Sequence, residues 1–148
     1  MKWYFASRMC HRETIQSLRA LLEKYGHEFS FDWSSQPSLK PYKDHPNECR
    51  QAAETINKAI KDTDVFVLIS DEAGTDMFIE LGLAIKESEN RKMTIYNVGP
   101  FNQRSLMQFH IVIKQVKNLE DIFNQHLPEA VPEIKALDKK LEAEFSGE

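Results

Sequence analysis

The residues best suited to chemistry lie in an acidic turn, Asp71-Glu72-Ala73-Gly74-Thr75-Asp76, and four residues beyond it, at Glu80. A carboxylate one turn into a helix sits near its partly positive end, which favours the ionised form and suits a nucleophile. It equally suits a solvated glutamate that merely complements the helix. Asp71 and Asp76 add groups able to pass a proton or hold hydroxyls, while plain capping by Asp76 or Thr75 is the simpler alternative. The guanidinium of Arg8 fits a phosphate or a surface charge. Trp33 offers a face for stacking on a planar ring or for covering the core. Asn97, with Asn102, suits hydroxyl contacts or ordinary turn chemistry. The histidines (His11, His27, His45, His110 and His126) show no HxH or HxxxH spacing, so no metal site is expected. Cys10 beside His11 lacks a third partner for nucleophilic catalysis and reads as an incidental thiol.

These side chains need elements to position them. Asp64 to Ser70 is an apolar, β-branched run of the kind buried on both faces of a parallel sheet. After the Gly74-containing turn the pattern becomes helical, with Phe78, Leu81 and Ile85 on one stripe. Lys2–Ala6 reads as a first strand, 11–25 as a helix closed by Gly26, and 27–33 as a second strand. A proline-punctuated loop over 34–47 leads to a helix over 48–61 that turns Ala52, Ala53, Ile56 and Ile60 inward. Further strands fall at 92–98 and 110–116, with a short helix over 105–109 and another begun by Asn118 as cap. A final amphipathic helix, 132–145, carries Ile134, Leu137, Leu141 and Phe145. It is expected to pack on its own domain, with a dimer contact as the alternative. The alternation predicts an α/β fold: a three-layer sandwich around a five-stranded parallel sheet, Rossmann-like or flavodoxin-like. Neither GxGxxG nor a Walker lysine motif occurs, which argues against a standard dehydrogenase or P-loop NTPase.

The length of 148 residues predicts a single domain, 1–148. A formal net charge of −4 argues against a nucleic-acid polymer as partner. No apolar run is long enough for a membrane span. The N-terminus does not read as a signal peptide, and the two cysteines have no framework spacing. A soluble cytoplasmic protein is the expectation.

Three segments carry a resemblance: Tyr4-Phe5-Ala6-Ser7, Thr63-Asp64-Val65-Phe66-Val67 and Glu80-Leu81-Gly82-Leu83-Ala84. Across residues 2–125 the chain resembles the nucleoside 2-deoxyribosyltransferase superfamily, which includes 2'-deoxynucleoside 5'-phosphate N-hydrolases. It is most similar to a bacterial group whose strand ends in Asp-Trp, here Asp32-Trp33. The resemblance implies a small-molecule nucleoside or nucleotide as substrate, no cofactor and no metal, and a homodimer or higher homo-oligomer. It implies that Glu80 attacks the anomeric carbon and displaces the base, that Tyr4 orients Glu80, and that Ser7 and Arg8 lie beside the sugar or its phosphate. Trp33, Asp71, Gly74, Asp76 and Asn97 would line the pocket. Two departures stand out. Ile56 occupies the place of a base-contacting aspartate, which Glu54 on another helical face does not replace. Gly74 stands six residues before Glu80, where four is usual. Hydrolysis is therefore easier to support than transfer. A non-catalytic nucleotide sensor and an NAD glycohydrolase are the alternatives.

Overall fold

The computed structural model describes residues 1–147. Five parallel strands form one sheet: β1 (Lys2–Ala6), β2 (Glu28–Phe29), β3 (Val65–Ile69), β4 (Thr94–Val98) and β5 (Ile113–Val116). Their order is β2-β1-β3-β4-β5. The helices are α1 (Arg12–Lys24), α2 (Pro46–Lys61), α3 (Asp76–Ser88), α4 (Leu119–His126) and α5 (Val131–Phe145). This is the flavodoxin-like order, whose topological switch point lies between β1 and β3.

Alternation along the strands divides the interior into two cores. Trp3, Phe5, Val65, Val67 and Ile69 face α1, α4 and α5, whereas Tyr4, Ala6, Phe66 and Leu68 face α2 and α3. In register, Tyr4 lies opposite Phe66, and the two rings stack with centroids 5.5 Å apart. That stack fixes the phenol of Tyr4 on the α3 side of the sheet.

Several sequence-based boundaries shift. The second strand is two residues long because the chain turns at Asp32. That side chain accepts from the Ser34 backbone N–H at 2.9 Å and pairs with Arg19 at 2.8 Å, starting a 3-10 turn at Trp33–Ser35. The fifth strand begins only at Ile113, since 110–112 form a turn that leaves Ile111 exposed. Helix α2 starts earlier, with Pro46 in its first turn, a position that loses no hydrogen bond. Burial lies at its C-terminal end: Ala53 is exposed while Ala59 and Ile60 are buried. Gly82 makes no close approach to β1: a Cβ there would meet nothing within 4 Å. The amphipathic tail does pack on its own chain, burying Ile134 and Leu141 in the first core, with Leu137 and Phe145 partly buried against it. Neither cysteine is in a disulfide. Among the described residues, no helix is long and apolar enough to cross a membrane.

Candidate active site

Two clusters of acidic groups form at the carboxyl edge of the sheet, on either side of the turn that joins β3 to α3. The first is built on α3. Asp76 and Glu80 are four residues apart, which sets them one above the other on the same helical face. Tyr4 Oη donates to Glu80 Oε1 at 2.6 Å. Tyr42, in a 3-10 turn of the proline-rich loop, donates from its hydroxyl to Asp76 Oδ2 at 2.7 Å. Each carboxylate is thus held by a phenol from a different part of the chain.

The electrostatics of this pair are uneven. Burial pushes the Glu80 carboxyl up to about 7; the Tyr4 hydrogen bond opposes this and the charge of Asp76 adds to it. The favourable helix terminus is outweighed, so the carboxyl is far from the fully ionised group expected of a solvated helix start. Burial also raises Tyr4 well above the usual phenol value, with the negative charge of Glu80 adding to the effect. Tyr42 is pushed up to about 12 by burial and by its bond to Asp76. Both phenols therefore stay protonated and act as donors. Asp76 itself is exposed, and neither it nor Thr75 caps α3 with its side chain.

The second cluster centres on Asp71. His11 is fully buried, its Nε2 2.7 Å from Asp71 Oδ2 and its Nδ1 2.6 Å from Glu144 Oε2. Thr14 Oγ1 donates to the other oxygen of Glu144 at 2.6 Å. The guanidinium of Arg8 lies 3.4 Å from Asp71 Oδ1, and the thiol of Cys10 points to Oδ2 at 3.5 Å. Burial alone would raise the Asp71 carboxyl, but the Glu72 backbone N–H, His11 and Cys10 hold it below its ordinary value. Burial and the charge of Asp71 raise the Cys10 thiol, which argues against a free thiolate nucleophile.

Gly74 connects the clusters. Its φ of +101° lies in the region that favours glycine, and a Cβ there would meet Met77 Cε at 2.9 Å and Arg8 Cγ at 3.1 Å. The chain thus turns tightly against the stem of Arg8. The other sequence-derived residues are placed less openly. Ser7 Oγ donates to the neighbouring Arg8 carbonyl at 3.1 Å. Trp33 is half-buried and donates from Nε1 to the Phe5 carbonyl at 2.6 Å, packed against both cores. Asn97 is fully buried, its amide donating to Gln115 at 2.9 Å and accepting from Gln108 at 3.0 Å. It anchors the segment after β4 to the sheet through these two bonds. Asn102 accepts from Ser70 Oγ at 3.2 Å.

Tyr42, His11 and Glu144 did not emerge as site residues from the sequence. Their partners lie 34, 60 and 133 residues away, beyond any local pattern; the length of the proline-rich loop was the one hint of Tyr42. A depression of about 330 Å³, lined by Tyr96, Lys114, Val116, Asp121, Asn124 and Gln125, contains none of the candidate residues. Chemical placement of the carboxylates is the better guide to the site.

No family model matches the sequence, and no curated protein matches it significantly. Among solved structures, the chain is similar to the CMP N-glycosidase BcmB from Clostridium botulinum. The two share 18% sequence identity with a TM-score of 0.52, over 79% of this chain and 88% of that one. At this identity the likeness establishes a shared α/β fold.

Proposed function

We propose that the chain cleaves the N-glycosidic bond of a nucleotide, with Glu80 as the nucleophile. The observation that carries this reading is the Tyr4–Glu80 pair, 2.6 Å long, on the face of the sheet beside its switch point. Such bonds break through an oxocarbenium-like transition state, which needs a carboxylate beneath the anomeric carbon and a proton for the departing group. Glu80, ionised in a large fraction of molecules near neutral pH, attacks the anomeric carbon as the bond to the base breaks. Tyr4 fixes the attacking group and stabilises its negative form. A water held by Asp76, one helical turn away, gives a proton to the departing base, and Arg8 binds the phosphate from the other side of the turn. Water then cleaves the glycosyl ester, giving free base and sugar phosphate and regenerating Glu80. The activity named for the solved structure, on a nucleoside monophosphate, supports this substrate class.

The test is release of free base, followed by chromatography. CMP, dCMP, other nucleoside monophosphates, free nucleosides and NAD are offered to the wild type and to Glu80→Gln. Wild type is expected to release base from a nucleoside monophosphate, with a fall of at least about 10²-fold in the variant. Protection against heat by a nucleotide, with no base released, favours the sensor alternative.

A homodimer fits the same reading. Leu106, Phe109 and Ile111 are 83%, 65% and 94% exposed, and Ile79, next to Glu80 in sequence, is 64% exposed. Apolar exposure concentrated in one segment suits a protein interface. Light scattering should show a dimer that Ile111→Asp disrupts; a wild-type monomer at high concentration counts against it.

A further inference from the structure

The cluster around Asp71 has a geometry that the glycosidase reading does not use. A neutral imidazole donates from one nitrogen only, yet both nitrogens of His11 face carboxylate oxygens, at 2.6 and 2.7 Å. With Nδ1–H directed to Glu144, which Thr14 also holds, Nε2 faces Asp71 and donates to it only when the ring carries a second proton. An imidazole lone pair and a carboxylate oxygen 2.7 Å apart need a cation between them, either a proton or a metal ion. A third ligand group is already present. The reactive atoms of Cys10, His11 and Asp71 all lie within 4.8 Å of one another.

We propose that Cys10 Sγ, His11 Nε2 and Asp71 Oδ2 form a binding site for a divalent transition-metal ion of the zinc class. Glu144 orients His11 from its far nitrogen. Thiolate, imidazole and carboxylate together are a borderline-soft set that selects zinc-like ions over magnesium or calcium. Zinc bonds of about 2.0–2.3 Å place neighbouring tetrahedral ligands roughly 3.3–3.8 Å apart. The Cys10–Asp71 separation of 3.5 Å already meets this, and the His11–Asp71 contact has to open by less than about 1 Å. The order carboxylate, histidine, metal is the arrangement that fixes the histidine tautomer and raises its basicity as a ligand. Cys10 is exposed, so water completes the fourth position from the solvent side. The ion displaces the thiol proton of Cys10 and any proton on His11 Nε2, both of which pass to solvent. Arg8 opposes the added charge, but it contacts the other oxygen of Asp71 and its side chain is 37% exposed, with room to swing away.

Sequence spacing hid this site because only the adjacent pair Cys10-His11 is local, and Asp71 follows 60 residues after His11. The bound ion would tie the segment after β1 to the end of β3, and through Glu144 to the end of α5.

The full chain, reduced and freed of metal with a chelator, is titrated with Co²⁺ and then Zn²⁺. Co²⁺ is expected to produce a near-ultraviolet thiolate-to-metal charge-transfer band that Zn²⁺ abolishes. Zn²⁺ is also expected to raise Tm with concentration, as a ligand of the native state does. Cys10→Ser removes the band, and Cys49→Ser keeps it. Cys10 is at the surface, so its substitution leaves the fold in place. No band with the wild type, or a band that survives Cys10→Ser, overturns the site. Neither readout involves a nucleotide, so the result is independent of whether base is released.

Discussion

The two carboxylate clusters lie on either side of one turn, yet their donors make opposite use of similar side chains. Asp71 is met by a guanidinium, an imidazole, a thiol and a backbone N–H. Glu80 is met by one neutral phenol, with Asp76 close enough to raise its pKa further. Burial acts to raise both groups. The donors around Asp71 outweigh burial and hold its carboxyl below the ordinary value, whereas Glu80 is left at about 7. A carboxylate surrounded by donors holds structure together; one with a single uncharged donor remains able to exchange a proton or attack a substrate. The difference lies in the partners, since burial acts in the same direction on both groups.

Exchanging the consequences of the two clusters gives the largest expected effect. Glu80→Gln should lose at least about 10²-fold in base release while folding normally, because Tyr4 can still donate to the amide oxygen. Asp71→Asn should instead cost about 1–3 kcal/mol of stability, since fully buried His11 loses a carboxylate partner and Arg8 its ion pair. Chemical denaturation of the two variants side by side measures this. If Glu80→Gln proves the less stable of the two, the division into a reactive and a structural cluster is wrong.

Much of the fold could be read from the sequence, because the apolar run of β3 and the helical stripes of α1 and α3 carry strong periodic signals. Glu80 stands out by its place after the acidic turn, but Tyr4 can be paired with it only through the family resemblance, since no local pattern links residues 76 positions apart. The short β2 was misjudged for a physical reason: residues 30–33 alternate like a strand, but Asp32 captures the Ser34 N–H and bends the chain away. Asn97 looked like a residue of the crevice because it ends a strand at the right edge. Its inward-facing register gives it to Gln108 and Gln115 instead. Sequence position thus locates the edge of the sheet, but the side chain's face and competing partners decide what reaches a ligand.

A pH experiment sharpens the comparison at intermediate size. The Glu80 carboxyl titrates at about 7 in the folded chain and near 4.3 when unfolded. Between those values the folded state holds more protons than the unfolded state, so this group's contribution declines as pH rises. It is fully present below about pH 4.3 and lost by the time the pH has passed through about 7. Glu80→Gln has no such loss. Its stability relative to wild type should therefore increase between about pH 5 and pH 8, by about 2–3 kcal/mol across that range. A constant difference across that range would mean that Glu80 is solvated and ordinary.

Tyr42→Phe should give the smallest effect and isolates the outer half of the reactive cluster. Tyr42 is 46% exposed, so loss of its 2.7 Å bond to Asp76 should cost less than about 1 kcal/mol of stability. Its influence on chemistry runs through Asp76, which loses the donor that aims it and that links the proline-rich loop to α3. A misplaced carboxylate that no longer holds the proton-donating water slows departure of the base more than it weakens nucleotide binding. The expected result is therefore a fall of roughly 3–10-fold in kcat with KM little changed, smaller than general acid catalysis as a whole supplies. A rise in KM alone would assign Tyr42 and its loop to substrate binding and leave Asp76 without a part in the proton transfer. The pH–rate profile adds a check. Removing the phenol leaves the Tyr4–Glu80 bond intact, so the acidic limb set by Glu80 should stay near 7, and a large displacement of that limb would show that the two carboxylates titrate as one unit.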